Sequence, residues 1–292
     1  MKNILLPTDF SENSRNAINY ALELYKMVEC RFILMNAYLE EYGISSKIEA
    51  PDNIFRKRAE YALSKLFDEL LKLHKDARLN MEKVVVSGRV VSTIRQAVKE
   101  FDIDMVVMGT KGASGLKRVF MGSNTASVIK KAKQPVLAIP ENACFKAPKR
   151  IAFAVDRKKF SDSHVLDPMT EIVSLFESEV LTFKVITPPP LGEVNGRVIA
   201  LKHKRTRESV PYYFYNPPEV DPEQGIIDFM NDRQADMLVM VAREYTFLEK
   251  LFHRSLTMRM AMHTDIPLLT LHDTNKKSLD SRNLENEKKH TI

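Results

Sequence analysis

The strongest constraint on the fold of this chain is an alternation that runs through it once and then starts again. Short aliphatic runs at residues 3–6, 31–37, 83–86, 105–108 and 135–139 read as strands, with amphipathic stretches between them. Ala17, Ala21, Leu24 and Val28 recur at helical spacing, as do Ala59, Leu63, Leu66, Leu70 and Leu73. Ile94, Ala97, Val98 and Phe101 form a third such stripe, and Ala126, Ile129 and Ala132 a fourth. Strand and helix in strict succession predict a parallel α/β sheet with helices on both faces and right-handed crossovers.

The plan then repeats. Asn3-Ile4-Leu5-Leu6-Pro7-Thr8-Asp9 is echoed 147 positions later by Arg150-Ile151-Ala152-Phe153-Ala154-Val155-Asp156. Asp104-Met105-Val106-Val107-Met108 is echoed only 132 positions later by Asp236-Met237-Leu238-Val239-Met240, and Gln134-Pro135-Val136-Leu137 likewise by Ile266-Pro267-Leu268-Leu269. The second copy is therefore about 15 residues shorter, the loss falling between its first and fourth strands, where Thr187-Pro188-Pro189-Pro190 and Asn216-Pro217-Pro218 interrupt it. Its long second helix is expected to be truncated or replaced. These boundaries predict domains at residues 1–140 and 149–272, joined by a polar stretch containing Pro140 and Pro148. The charged residues 273–292, nearly free of large apolar side chains, are expected to form a disordered tail.

Composition narrows the function classes. Lys plus Arg number 44 against 38 Asp plus Glu, a mild excess with no long basic arm and no interleaved aromatic platform, so no nucleic-acid partner is expected. The densest basic run, Lys202-His203-Lys204-Arg205-Thr206-Arg207, reads as a solvated face. Cys30 and Cys144 stand far apart, which supports neither a disulfide framework nor a zinc knuckle and fits a reducing cytosol. The opening run Met1-Lys2-Asn3-Ile4-Leu5-Leu6-Pro7 is short for a signal peptide, and no stretch approaches the roughly 18 apolar residues of a membrane span. The expectation is a cytoplasmic protein with no membrane partner. His203, His253, His263 and His272 are scattered with no H-E-x-x-H or cysteine pairing, so no protein metal site is expected.

Four of the nine glycines fall within fourteen residues, at Gly109, Gly112, Gly115 and Gly122, immediately after the apolar run that ends at Met108. Glycine lets backbone N–H groups approach an anion with no Cβ in the way, and a helix N-terminus leaves unpaired donors at a positive dipole end. Strand, glycine-rich loop and helix together predict a phosphate site. Ser123 also suits a plain helix N-cap.

These residues resemble the universal stress protein family in its tandem form. The run Gly109-x2-Gly112-x9-Gly122-Ser123 fits the G-x2-G-x9-G-[S/T] signature of ATP-binding members without a gap, and Pro7-Thr8-Asp9-Phe10-Ser11 is similar to the family's other hallmark. The resemblance covers residues 1 to 272 and implies two tandem doubly wound domains, each an open five-stranded parallel sheet in the order 3-2-1-4-5 flanked by helices. That order sets strands 1 and 4 side by side with their connections leaving in opposite directions, which opens a crevice at their carboxyl ends. The resemblance further implies that Gly112, Gly122, Ser123 and Asn124 surround the phosphates of ATP, with Met108 and Gly109 as floor. It implies that Asp9 meets the ribose, that the backbone of Ala37 meets the adenine, and that Pro7 and Thr8 complete that wall. Each keeps a simpler alternative: Asp9 as helix cap, Ala37 as core, Ser123 as N-cap. Thr125 is assigned no role. Mg²⁺ would arrive with the nucleotide and not through a protein cage.

At the matching positions the second copy carries Val241, Glu244 and Arg254 for the three glycines, and Ser255 for Ser123. Glu244 would set a negative charge where phosphate should lie, so the second half is expected to be a non-binding structural partner, with Asp156 kept for structure. It would act as an intramolecular copy of a dimer. Whether two such chains associate further into a homodimer, for instance through strand edges at residues 136–139 and 268–271, is left open by the sequence. The implied function is an ATP-binding stress-response or regulatory protein. The alternatives are a slow ATP hydrolase and a nucleotide-independent scaffold. No Walker A or kinase motif occurs, and no catalytic residue is assigned.

Overall fold

The computed structural model describes residues 1–39, 52–75, 79–110, 123–155, 163–185, 201–202, 209–210, 212–215, 222–243 and 266–273. The first half runs β1 (Lys2–Thr8), α1 (Glu12–Leu24), β2 (Cys30–Tyr38), α2 (Asp52–Leu73), β3 (Asn80–Ser87), α3 (Val90–Glu100), β4 (Met105–Gly109), α4 (Ser123–Lys131) and β5 (Val136–Ile139). The second runs β6 (Arg150–Ala154), a 3₁₀ turn at Ser163–Leu166, α5 (Asp167–Phe176), β7 (Glu179–Val185), β8 (Leu201–Lys202), β9 (Ser209–Val210), β10 (Tyr212–Tyr215), α6 (Pro222–Arg233), β11 (Met237–Arg243) and β12 (Leu268–Asp273). Strand boundaries exceed the sequence-based ones by up to three residues in β1 to β4, because the apolar core of a strand is legible and its ends are less so, whereas β5 starts one residue later than expected.

Ten of these strands form one sheet in the order β10-β7-β6-β11-β12-β5-β4-β1-β2-β3. Each half has the expected 3-2-1-4-5 order, and pairing within each half is parallel. Both halves also share one hydrogen-bonded corner. Asp104 N donates to Asn3 O at 2.9 Å while its carboxylate accepts from Asn3 N at 2.8 Å. In the second half Asp236 N donates to Arg150 O at 2.8 Å and its carboxylate accepts from Arg150 N at 2.9 Å. The aspartate that opens the fourth strand thus closes the start of the first, twice.

The two strand edges named for association of chains are occupied within the chain. β5 and β12 pair with each other, antiparallel, with Leu268 opposite Ala138, Leu269 opposite Leu137 and Thr270 opposite Val136. An edge strand is a row of unpaired N–H and C=O groups, and joining two such edges inside one chain removes both rows at once. Thr270, fully buried in this seam, donates its hydroxyl to Val136 O at 3.1 Å. The outer edges of the sheet are β3 and β10.

The polar stretch at residues 140–149 is anchored at three points. Pro140, Ala143 and Pro148 are buried. Asn16 of α1 donates to Ala143 O at 2.9 Å and Pro140 O at 3.2 Å, while Phe145 meets Tyr20 edge-on at 5.2 Å and Phe176 of α5 at 6.3 Å. Alternate residues of each strand feed opposite faces. Ile4, Leu6, Ile151 and Phe153 join Ile18 of α1 and Ile172 of α5 on one side. Leu5, Ala152 and Phe183 join Ile94 of α3, Ile129 of α4 and Phe229 of α6 on the other. Both core layers therefore continue across the seam.

Between β7 and β10 the described residues form a two-stranded antiparallel ladder, β8 with β9, where the first half carries the 22-residue α2. Among the described residues no helix lies between β7 and β10. The tail expected beyond the second half falls at residues 274–292, outside the described residues, whereas Asp273 still belongs to β12. Among the described residues no helix is long and apolar enough to cross a membrane.

His272 of β12 reaches from one half to the other, donating Nε2–H to Ile129 O of α4 at 2.7 Å. Burial pushes its pKa below the ordinary imidazole value. The unfolded imidazole titrates near about 6.5 and the folded one lower, so the neutral form's advantage is whole above about pH 6.5 and is lost as pH falls through the folded value. Urea unfolding at pH 7.5 and 5.5 should therefore show a steeper acid loss of stability in the native chain than in His272→Gln; equal losses would refute this role.

Candidate functional site

The crevice forms where β1 and β4 run side by side, in register from Ile4 with Met105 and Leu5 with Val106, and their connections part. At the carboxyl end of β1 the chain turns sharply. Only Asp9, Phe10 and Ser11 separate β1 from α1. Phe10 sits at φ 65°, in the left-handed region that a bulky residue enters only when its surroundings dictate it. Three side chains do so. Thr8 Oγ1 accepts from Phe10 N at 3.0 Å and meets Ser14 Oγ at 3.0 Å. One Asp9 carboxylate oxygen accepts from Ser11 N at 3.1 Å and Ser11 Oγ at 2.6 Å, and Ser11 in turn caps α1 by accepting from Ser14 N at 3.2 Å. Asp9 is thus exposed and also braces the capping turn.

Pro7 is buried within β1, opposite Met35. β2 outruns β1, since the register ends at Thr8 opposite Asn36 while β2 continues through Ala37 and Tyr38. The β1-facing backbone edge of half-buried Ala37 therefore lies past the last β1 partner. Asn36 seals the step, donating Nδ2–H to Thr8 O at 2.8 Å. Met108 contributes its side chain to the core shared with α3 and α4.

Gly109 is where four elements converge. A Cβ built there would stand 2.2 Å from Asn13 Oδ1 and 3.0 Å from Asn13 O, so α1 can lie against β4 only because this residue has no side chain. Asn13 also donates Nδ2–H to Ile139 O at 3.4 Å, reaching the end of β5. From the other side Thr125 of α4 donates its hydroxyl to Gly109 O at 2.7 Å. The strand end is held between the first turns of two helices.

Of the residues expected at the site, Pro7, Thr8, Asp9, Ala37, Met108 and Gly109 all lie at or beside the carboxyl ends of β1, β2 and β4. α4 begins at Ser123 itself, with Asn124 exposed in its first turn. Gly112 and Gly122 lie outside the described residues. Sequence patterning missed Asn13, Ser14, Asn36 and Thr125, all buried and polar. A signal for two of them was available: Asn13 extends the stripe of Ala17 and Ala21 backward by one turn, and Thr125 precedes buried Val128 and Ile129 by three and four positions. A polar residue in a buried stripe must have a specific partner.

The second half is built differently at the matching place. Val241 of β11 stands where β4 has Gly109, partly buried against the core beneath α1 and α5. α5 begins only at Asp167, so residues 155–166 lie between β6 and the helix. β11 accommodates a side chain at this position. Asp156, Glu244, Arg254 and Ser255 lie outside the described residues, as do His203, His253 and His263. Among the described residues no group of three or more His, Cys, Asp or Glu is placed to hold a metal ion.

Fold and crevice together define a doubly wound α/β protein with its ligand crevice at the point where strand order reverses. The universal stress protein family model matches residues 1–140 and 218–272, and the chain belongs to that family. A universal stress protein of Synechocystis sp. is 24% identical over 297 residues, covering 92% of this chain and 99% of that one. A shorter one from Methanocaldococcus jannaschii is 24% identical over 153 residues, covering 47% of this chain and 94% of its own. The crystal structure of a universal stress protein from Archaeoglobus fulgidus superposes with a TM-score of 0.67 at 18% identity, covering 93% of this chain and 96% of that one.

The contact at Gly109 yields a direct test. Gly109→Ala should destabilise the chain by about 1–3 kcal/mol through overpacking against Asn13, whatever ligand is present. Unfolding in urea without nucleotide measures it; an unchanged midpoint would mean α1 does not press on this strand.

Proposed function

We propose that the chain binds adenine nucleotide, with ATP as the ligand, in the crevice of its N-terminal half, and that occupancy of this crevice carries a regulatory signal in the cytoplasmic stress response. The observation that carries this is the convergence on Gly109: the end of β4 meets the first turns of α1 and α4 at one backbone position, on the strand that pairs with β1 at the switch point. Parallel α/β sheets take their ligands at such a place.

The parts suit the ligand's chemistry. α4 begins directly after the segment containing Gly112 and Gly122, so its unpaired N–H groups and positive dipole end would receive phosphate oxygens. The Asp9 carboxylate, exposed on its braced turn, is an acceptor that suits a ribose hydroxyl. The edge of Ala37 that β1 leaves uncovered can exchange hydrogen bonds with the rim of a purine. Mg²⁺ would enter on the phosphates, bringing charge neutralisation without dedicated protein ligands. The C-terminal half, with Val241 and a late-starting α5, serves as the partner that completes the sheet.

Isothermal titration of the full chain should show saturable ATP binding at one site per chain, abolished by Gly122→Val, whose side chain would fill the space a phosphate needs. Two equivalent sites per chain would overturn the assignment to one half. Absence of binding by the native chain would leave the scaffold alternative standing.

A further inference from the structure

Thr125 is the one buried polar side chain of α4 among the described residues, and the nucleotide assignment leaves it without a task. It is 2% exposed. A threonine within a helix commonly returns its hydroxyl to a carbonyl of the preceding turn. This one instead reaches across to β4 and donates to Gly109 O at 2.7 Å. The bond therefore spans the two ends of the glycine-rich connection, joining the last residue of the strand to the first turn of the helix.

We infer that Thr125 is a positioning residue for the phosphates, an inference that rests on the nucleotide assignment above. Val128 and Ile129, one turn further along, seat α4 against the sheet, and His272 holds Ile129 O from β12. Those contacts secure the far part of a nine-residue helix. Among the described residues its N-terminal end is tied to β4 by the Thr125 hydroxyl, which bears on the rotation of the first turn about the helix axis and on its distance from Gly109. Donors held in place before the ligand arrives need no reorganisation when it binds, and the benefit grows with the number of anionic oxygens they meet. Thr125 thus acts on affinity for the phosphate chain and leaves the adenosine portion, held at β1 and β2, unaffected.

The test is the ratio of ATP to AMP affinity in the full chain. Thr125→Val keeps the shape and removes the donor; it should lower that ratio about tenfold, with AMP affinity within about twofold of native. Thr125→Ser restores the hydroxyl and should bring the ratio back to within about threefold. Thr125→Ala, which also lacks the donor without keeping the shape, is measured in parallel. An unchanged ratio in Thr125→Val, or equal loss of both ligands, overturns the inference. So does a serine variant that fails to recover, which would assign the effect to the methyl group. If Thr125→Val and Thr125→Ala both fail to fold while Thr125→Ser folds, the bond serves stability and the inference is likewise overturned. A native chain that binds neither nucleotide refutes the nucleotide assignment itself, a result distinct from all of these.

Discussion

The antiparallel pairing of β5 with β12 is the interaction on which the rest of this structure depends. A parallel five-stranded sheet has two raw edges, and in each half the fifth strand is short and buried on both faces. Left exposed, β5 would present its backbone donors and acceptors from the middle of an apolar strand. Paired, the two fifth strands close both edges and bring both core layers into continuity. Thr270 shows how exacting the seam is, because its hydroxyl has no water to turn to and takes Val136 O instead. The connection through Phe145, packed between Tyr20 and Phe176, fixes the same arrangement from one side, and the ion pair between Lys2 and Glu171 spans it again.

Much of this was legible beforehand, for an identifiable reason. Strands of a parallel sheet are buried on both faces, so they stand out as continuous apolar runs, and the repeated Asp104 and Asp236 mark the same corner twice because both close it with the same pair of hydrogen bonds. The partner of β5 was not legible. Strand sequences carry burial and period, but β5 reads the same whether its neighbour is another chain or β12. The ladder of β8 with β9 escaped similarly, since strands of two residues are too short to show a period. At the crevice, the glycine spacing and Asp9 drew attention by residue type. Asn13, Asn36 and Thr125 were overlooked because their significance lies in which carbonyl or strand each one meets across the fold.

The two halves also differ at the ends of their fourth strands. In the first, α1 starts three residues after β1, and its early turn presses Asn13 onto β4, which only glycine permits. In the second, β11 carries Val241 into the same core. Helix approach and strand-end residue are coupled, because a side chain at position 109 would meet Asn13.

This coupling changes how the glycine signature should be weighed. Gly109 answers to packing, because α1 lies close to β4. The proposed phosphate site adds to it Gly112, Gly122 and the start of α4. The exposed Asp9, held by Ser11 N and Oγ on the turn that caps α1, belongs to the same proposal. A family member that retained the first glycine and lost the other two would on these grounds keep the fold of the first half and forfeit the triphosphate, because the first glycine answers to the helix and the later ones to the ligand.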